Sequence, residues 1–349
     1  MNRWKLFLLG IGMVLGFAGC GNSAGRANID AGMDAIVEMD YVAAMESFQM
    51  AADKGESARL IARGRGIASM GLTDYEGAVT YFVECLSYSD GVVGNMDYDV
   101  NYYLAAAYCK LGHYDKAEQI YTAILALKKE ETQAFYLRGN ARLELGKHEL
   151  AISDFETALK LEPENYEMLI QIYQVLEAHG KKQEGLEYIS FALKGREKQM
   201  EAYDKGMIYY YLGDYAKACT FLEEAKGGKN EAKVYLYLGL SYEATGDYNY
   251  AITNVYTGYL KNHEGDAAIY NQLGLCYLKQ GSYDLALSAF QSAMQIPNNG
   301  MMQTLKFNEV VAYEYLGQYT QATALLNSYL QTYPNDEAAI REYEFLRTR

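Results

Sequence analysis

The chain has 349 residues, a formal net charge of −14 and 50% apolar residues. Such an acidic chain lacks the basic surface that a nucleic-acid backbone demands, and it is repelled by anionic lipid headgroups, so membrane contact needs a separate cause. The apolar content excludes general disorder, and only Pro163, Pro297 and Pro334 interrupt the pattern, which predicts helix nearly throughout.

The first residues stand apart. Arg3 and Lys5 precede an apolar run over 6–19 that holds no acidic or basic residue. A charged start followed by a run of that length is the pattern of a signal peptide and is too short for an ordinary membrane span. The run ends Phe17-Ala18-Gly19-Cys20, which resembles a bacterial lipobox with Phe17 where an aliphatic residue is usual. The resemblance implies that 1–19 are removed and that Cys20 becomes a lipidated N-terminus. Residues 20–27 then form a small, polar tether. The chain is expected on the extracytoplasmic face of a bacterial membrane, touching it through the anchor alone.

From there to the end one phrase recurs. Small residues stand at Ala44, Ala78, Ala117, Ala151, Gly185, Ala218, Ala251, Ala286 and Ala322, spaced by 34, 39, 34, 34, 33, 33, 35 and 36 residues. Five residues before each of the last seven comes a glycine, from Gly112 to Gly317. Within repeat seven, Tyr235, Leu238, Gly239 and Tyr242 recur at helical spacing, Gly246 supplies a left-handed stop, Asp247 can cap the next helix, and Tyr248, Ala251, Ile252 and Val255 make a second stripe. Gly239 and Ala251 are expected where the two helices cross. One such hairpin cannot bury its own apolar face, so stacking on neighbours must complete the core.

The phrase Tyr270-Asn271-Gln272-Leu273-Gly274, Tyr277, Gly281-Ser282-Tyr283, Ala286, Phe290, Ala293 resembles the tetratricopeptide repeat. That resemblance implies an all-α fold, a right-handed α-solenoid of about nine helix pairs over 28–335. Residues 86–97 read as a loop insertion in the second repeat, and 336–349 as a polar capping helix that packs through Ala338, Ile340, Tyr343 and Leu346. Repeat five departs from the pattern, with Tyr173 at the usual glycine, Lys182 at the usual tyrosine and Gly185 at the usual alanine; it is expected to be the weakest or most distorted stack.

Nothing in the sequence assembles catalytic chemistry. His113, His148 and His179 fall at hairpin turns and His263 between repeats, without HExxH, metal-triad or nucleophile–base spacing. Cys85, Cys109, Cys219 and Cys276 lie far apart inside apolar helices and form no CxxC pair, so buried free thiols are expected. No cofactor or metal is expected. In the resembled family the first helix of each pair lines a concave groove. Its ligand-facing positions carry over to Tyr102, Tyr136, Asn140, Tyr203, Met207, Tyr210, Tyr211, Leu236, Leu240 and Phe307. No repeat holds the Lys, Asn and Lys of the family's carboxylate clamp. The cluster Tyr203, Met207, Tyr210 and Tyr211 is expected to be the main contact, bordered by the charges of Asp204 and Glu243. The leading reading is a lipid-anchored scaffold that binds a polypeptide in the envelope. A second is a solute or glycan binder that uses the tyrosines, and a third is an enzyme with a diffuse site.

Overall fold

The computed structural model describes residues 25–194, 196–228, 231–297 and 299–348. Residues 1–19 and Cys20, the proposed leader and anchor, lie outside them. The described residues form helices and turns without a strand. Eighteen helices make nine antiparallel pairs: α1 Ala27–Val37 with α2 Tyr41–Asp53, α3 Ala58–Gly71 with α4 Tyr75–Ser87, α5 Asn95–Lys110 with α6 Tyr114–Leu127, α7 Thr132–Glu144 with α8 His148–Leu161, and α9 Tyr166–Ala178 with α10 Lys182–Leu193. Then come α11 Ala202–Leu212 with α12 Tyr215–Glu224, α13 Glu231–Ala244 with α14 over 248–260, α15 Ala267–Gln280 with α16 Tyr283–Met294, and α17 Met302–Tyr315 with α18 Tyr319–Thr332. A last helix, α19 Glu337–Leu346, packs on α18. The fold is an α-solenoid of stacked hairpins.

Local chemistry sets each boundary. Four second helices start on Asp side chains that accept a backbone N–H three residues on: Asp40 from Ala43 at 3.0 Å, Asp74 from Gly77 at 3.0 Å, Asp214 from Lys217 at 3.2 Å and Asp247 from Tyr250 at 3.0 Å. The turn before them needs a left-handed residue, and glycine fills it in repeats three to nine, as at Gly213 with φ 80°. Along the crossing, a small residue on the first helix accepts a bulky one from the second. A β-carbon on Gly66 would overlap the Phe82 ring, and both residues are buried. The apolar residues form clusters that run between neighbouring pairs, not inside single hairpins.

Two expectations need correction, and two repeats are irregular. The insertion is shorter than 86–97, because α4 continues to Ser87 and α5 begins at Asn95. Asp97 draws the helix back by accepting the Gly94 N–H at 2.9 Å and pairing with Arg59 at 2.5 Å. The cap helix packs through Ala339, Tyr343 and Leu346, one residue round from the expected face; Ile340 is exposed and Ala338 turns elsewhere. In repeat seven the second helix is π-helical over Ala251–Tyr256 between α-helical Tyr248–Tyr250 and Thr257–Leu260. The extra residue in that turn brings Tyr256, not Val255, over Gly239. In repeat five the large and small partners have exchanged helices: Tyr173 of α9 packs on Gly185 of α10, and both are buried.

Candidate functional site: a tyrosine-walled channel

The first helices of the pairs line one concave space of about 3250 Å³. Ile29 and Met33 of α1 and Arg341 and Phe345 of α19 face the same space, so it is walled along the whole array. All ten carried-over groove residues lie on this wall, in three places. Tyr102 is on α5 and Tyr136 and Asn140 on α7; Tyr203, Met207, Tyr210, Tyr211, Leu236 and Leu240 meet on α11 and α13; Phe307 stands apart on α17, against Tyr329.

The middle group is an aromatic cluster. Tyr210 packs edge-on against Tyr211, with ring centroids 5.2 Å apart, and Tyr237 lies 5.6 Å from Tyr210 and 6.0 Å from Tyr211. The Gln174 amide donates to the Tyr211 hydroxyl at 2.8 Å. Burial raises the pKa of Tyr203, Tyr210, Tyr211 and Tyr237, so all four stay neutral phenols that can donate. The cluster is less open than expected. Tyr203 is 6% exposed and Met207 1%, so these two hold α11 in the core, while Tyr210 and Tyr211 keep partial exposure. Tyr237, hub of the ring contacts, was missed by the sequence reading. The available signal was its place beside Leu236 on the same helix.

The bordering charges also differ from expectation. Glu243 is buried: it accepts from the Tyr256 hydroxyl at 2.6 Å and Gln272 at 3.0 Å and pairs with Lys279 at 2.6 Å. A carboxylate so engaged offers no free charge to a ligand. Asp204 is partly buried, and burial, with Glu201 and Glu167 adding to it, raises its pKa to about 6. Glu167 itself pairs with Lys233 across the repeat between them.

The first group is the least satisfied. The Tyr102 hydroxyl, the Tyr136 hydroxyl and Asn140 Oδ1 are buried in the channel wall without a hydrogen-bond partner. Glu131 lies near Tyr102 and the Asn140 amide near Tyr136, but neither in bonding geometry.

No arrangement for catalysis appears among the described residues. No group of three or more His, Cys, Asp or Glu is placed to hold a metal. The histidines make separate structural contacts: His113 packs edge-on against Tyr108, His148 sits 3.0 Å from Glu184 of the next repeat, His179 meets the Val175 carbonyl at 2.8 Å, and His263 stacks on Tyr259. The four described cysteines are free. Burial raises all four thiols, those of Cys109 and Cys219 to about 11 and that of Cys276 to about 12, which keeps them protonated. No helix among the described residues is long and apolar enough to cross a membrane.

A solenoid of stacked hairpins with its first helices around a concave channel is a repeat scaffold, a class built for contact along a surface. Family models described as tetratricopeptide repeat match at 69–141, 132–165, 202–227, 236–300 and 307–336, together more than half the chain, and the chain belongs to that family. The fold generally mediates protein–protein interaction without catalysis. Among curated relatives, RNA polymerase II-associated protein 3 of Homo sapiens is 30% identical over 128 residues, 33% of this chain and 19% of its own length. This chain therefore spans about a fifth of that relative. Among solved structures, MamA of Desulfovibrio magneticus RS-1 aligns with 52% of this chain and 99% of its own at 19% identity and a TM-score of 0.43. A tetratricopeptide repeat protein of Parabacteroides merdae aligns with 83% and 99% at 16% identity and a TM-score of 0.42.

Proposed function

We propose that this chain is a non-catalytic scaffold that holds an extended polypeptide segment in its channel, tethered to a bacterial envelope membrane by lipid on Cys20. The observation that carries the reading is the unpartnered trio of Tyr102, Tyr136 and Asn140 on the channel wall. A buried polar group without a partner is costly, and it gains when a ligand supplies the missing bond. Tyr102 and Asn140 keep partial exposure on the wall, and Tyr136, 4% exposed, reaches a ligand when its ring turns towards the channel; hydroxyls that donate beside an amide oxygen that accepts then suit the alternating C=O and N–H groups of an extended backbone. The tyrosines of α11 and α13 add broad apolar contact with little ordering cost. The space of about 3250 Å³ favours a chain segment over a small solute, whose sites are typically about 300–1,000 Å³.

The test is selection of a displayed random-peptide library on the full chain in detergent, in parallel with a glycan array. The reading expects enriched peptides whose binding falls at least tenfold in a Tyr136→Phe, Asn140→Ala variant. Glycan binding with no peptide enrichment would replace it with the solute reading.

A further inference from the structure

Two hairpin turns break the glycine rule. Where repeats three to nine place glycine, repeats one and two place Met39, with φ 57°, and Thr73, with φ 59°. Side-chain-bearing residues adopt this left-handed conformation at a cost, and nothing within either hairpin requires them there. What distinguishes these two turns is what they touch. The Asn335 amide, beyond α18, donates to the Thr73 carbonyl at 3.1 Å across 262 residues of sequence. A β-carbon on Gly300 would stand 3.6 Å from the terminal methyl of Met39. The glycines at the corresponding turns of repeats three to nine have nothing within 4 Å of that position. Thr73 is 5% exposed, although it sits at a turn. Tyr41 and Tyr75, two residues further on, lie within the electrostatic reach of Tyr333 and Asp336 respectively.

We propose that these contacts form a latch that closes the solenoid into a ring and opens reversibly to admit a chain sideways into the channel. Closure explains why helices from both ends wall one space, and why Met39 and Thr73 replace glycine at these two turns. The seam is also built to open. Elsewhere adjacent pairs share continuous apolar cores. At the seam, Asn335 is exposed, and the Thr73 hydroxyl is buried without a partner and regains water when the ends part. A ring that never opened would accept only a segment threaded from a free end. A latch lets it take an internal segment flanked by folded domains. The admission of a chain rests on the polypeptide reading, whereas the end-to-end closure does not depend on what the channel holds.

The experiment is hydrogen exchange on the unliganded full chain, with spin labels at the exposed positions 38 and 334 in a parallel sample. Asn335→Ala should speed exchange at 71–76 several-fold although these residues are remote in sequence, leave 132–160 unchanged, and lengthen the 38–334 distance. Met39→Gly, which removes the methyl and relieves the backbone, should lengthen the same distance without loss of helicity. If Asn335→Ala loosens only 333–338 and neither variant moves the label distance, Asn335 is a local turn residue and the latch does not exist.

Discussion

The Tyr256 hydroxyl donates to Glu243 Oε1 at 2.6 Å inside the hairpin of repeat seven, and this bond depends on the π-helical turn at 251–256. Without the extra residue, Tyr256 would rotate away from Gly239 and Glu243 would lose one of its three donors. Glu243 in turn binds Lys279 and Gln272 of α15, so one irregular turn joins repeat seven to repeat eight. Removing a hydrogen bond to a buried charged group costs about 1.5–3 kcal/mol. Tyr256→Phe keeps the ring over Gly239 and removes only the hydroxyl. It should speed exchange across α13 to α15 while α5 to α8 stay protected. Unchanged exchange would mean that Lys279 and Gln272 suffice to hold the carboxylate.

Repeat five offers a reversal of sign. Glycine to alanine inside a helix normally stabilises by about 0.8–1.0 kcal/mol. At Gly185 the added carbon would lie 2.9 Å from Tyr173 Cδ2 and 3.2 Å from Tyr173 Cα. The ring can shift but the backbone cannot, so Gly185→Ala should lower the melting temperature. In a Tyr173→Ala background the ring contact is gone while the backbone contact remains, so the same change should lower it less. Destabilisation of equal size in both backgrounds would show that the exchange of large and small partners is incidental.

How much of this was legible follows from what each feature depends on. Helix pairs depend on local spacing, so the recurrence from Ala44 to Ala322 and the glycines from Gly112 to Gly317 marked them directly. The π turn left a trace, the 35-residue step from Ala251 to Ala286, but a single extra residue reads equally well as a longer loop. The cap helix was read one residue out of phase because Ala338, Ala339 and Ile340 are all apolar, and only the docking against Tyr329 and Leu326 selects Ala339. Burial of Tyr203 and Met207, and the neutralising of Glu243 by a lysine 36 residues on, depend on neighbouring repeats that no single repeat encodes. The end-to-end contact depends on the pitch of the whole array; its trace was the missing glycine at Met39 and Thr73.

Asp204 should leave a mark in the pH dependence of stability. Its pKa in the fold is about 6, above the ordinary value of 3.8, so the charged form is penalised. Its contribution to stability is fully present below about 3.8 and is lost as pH rises through about 6. Asp204→Asn should therefore melt higher than the parent at pH 7, with the difference shrinking as pH falls towards 4. A constant offset across that window would assign the effect to packing.

Cys20 provides the test of the envelope assignment. Cells fed an alkyne-tagged fatty acid should label the chain, and Cys20→Ser should abolish the label and move the protein to the soluble fraction. Equal labelling of the variant would remove the lipobox reading and leave the channel argument untouched.

The channel residues divide into those that hold the fold and those that face its interior, and substitution should separate them. Tyr203 is 6% exposed and packs against Tyr237, with ring centroids 6.4 Å apart, so Tyr203→Ala removes buried aromatic area. Loss of a buried aromatic side chain typically costs about 3–5 kcal/mol. This variant should melt lower and bind weakly because the wall is disrupted. Tyr210 and Leu240 keep partial exposure on the wall. Truncating both should leave helicity intact and lower the melting temperature less than Tyr203→Ala does. Binding of peptides selected on the parent should nonetheless fall at least tenfold, since interface anchors often contribute about 2 kcal/mol or more. If the Tyr210→Ala, Leu240→Ala variant binds as the parent does, contact is made at α5 and α7, around Tyr102, Tyr136 and Asn140, and the aromatic cluster serves to shape the wall.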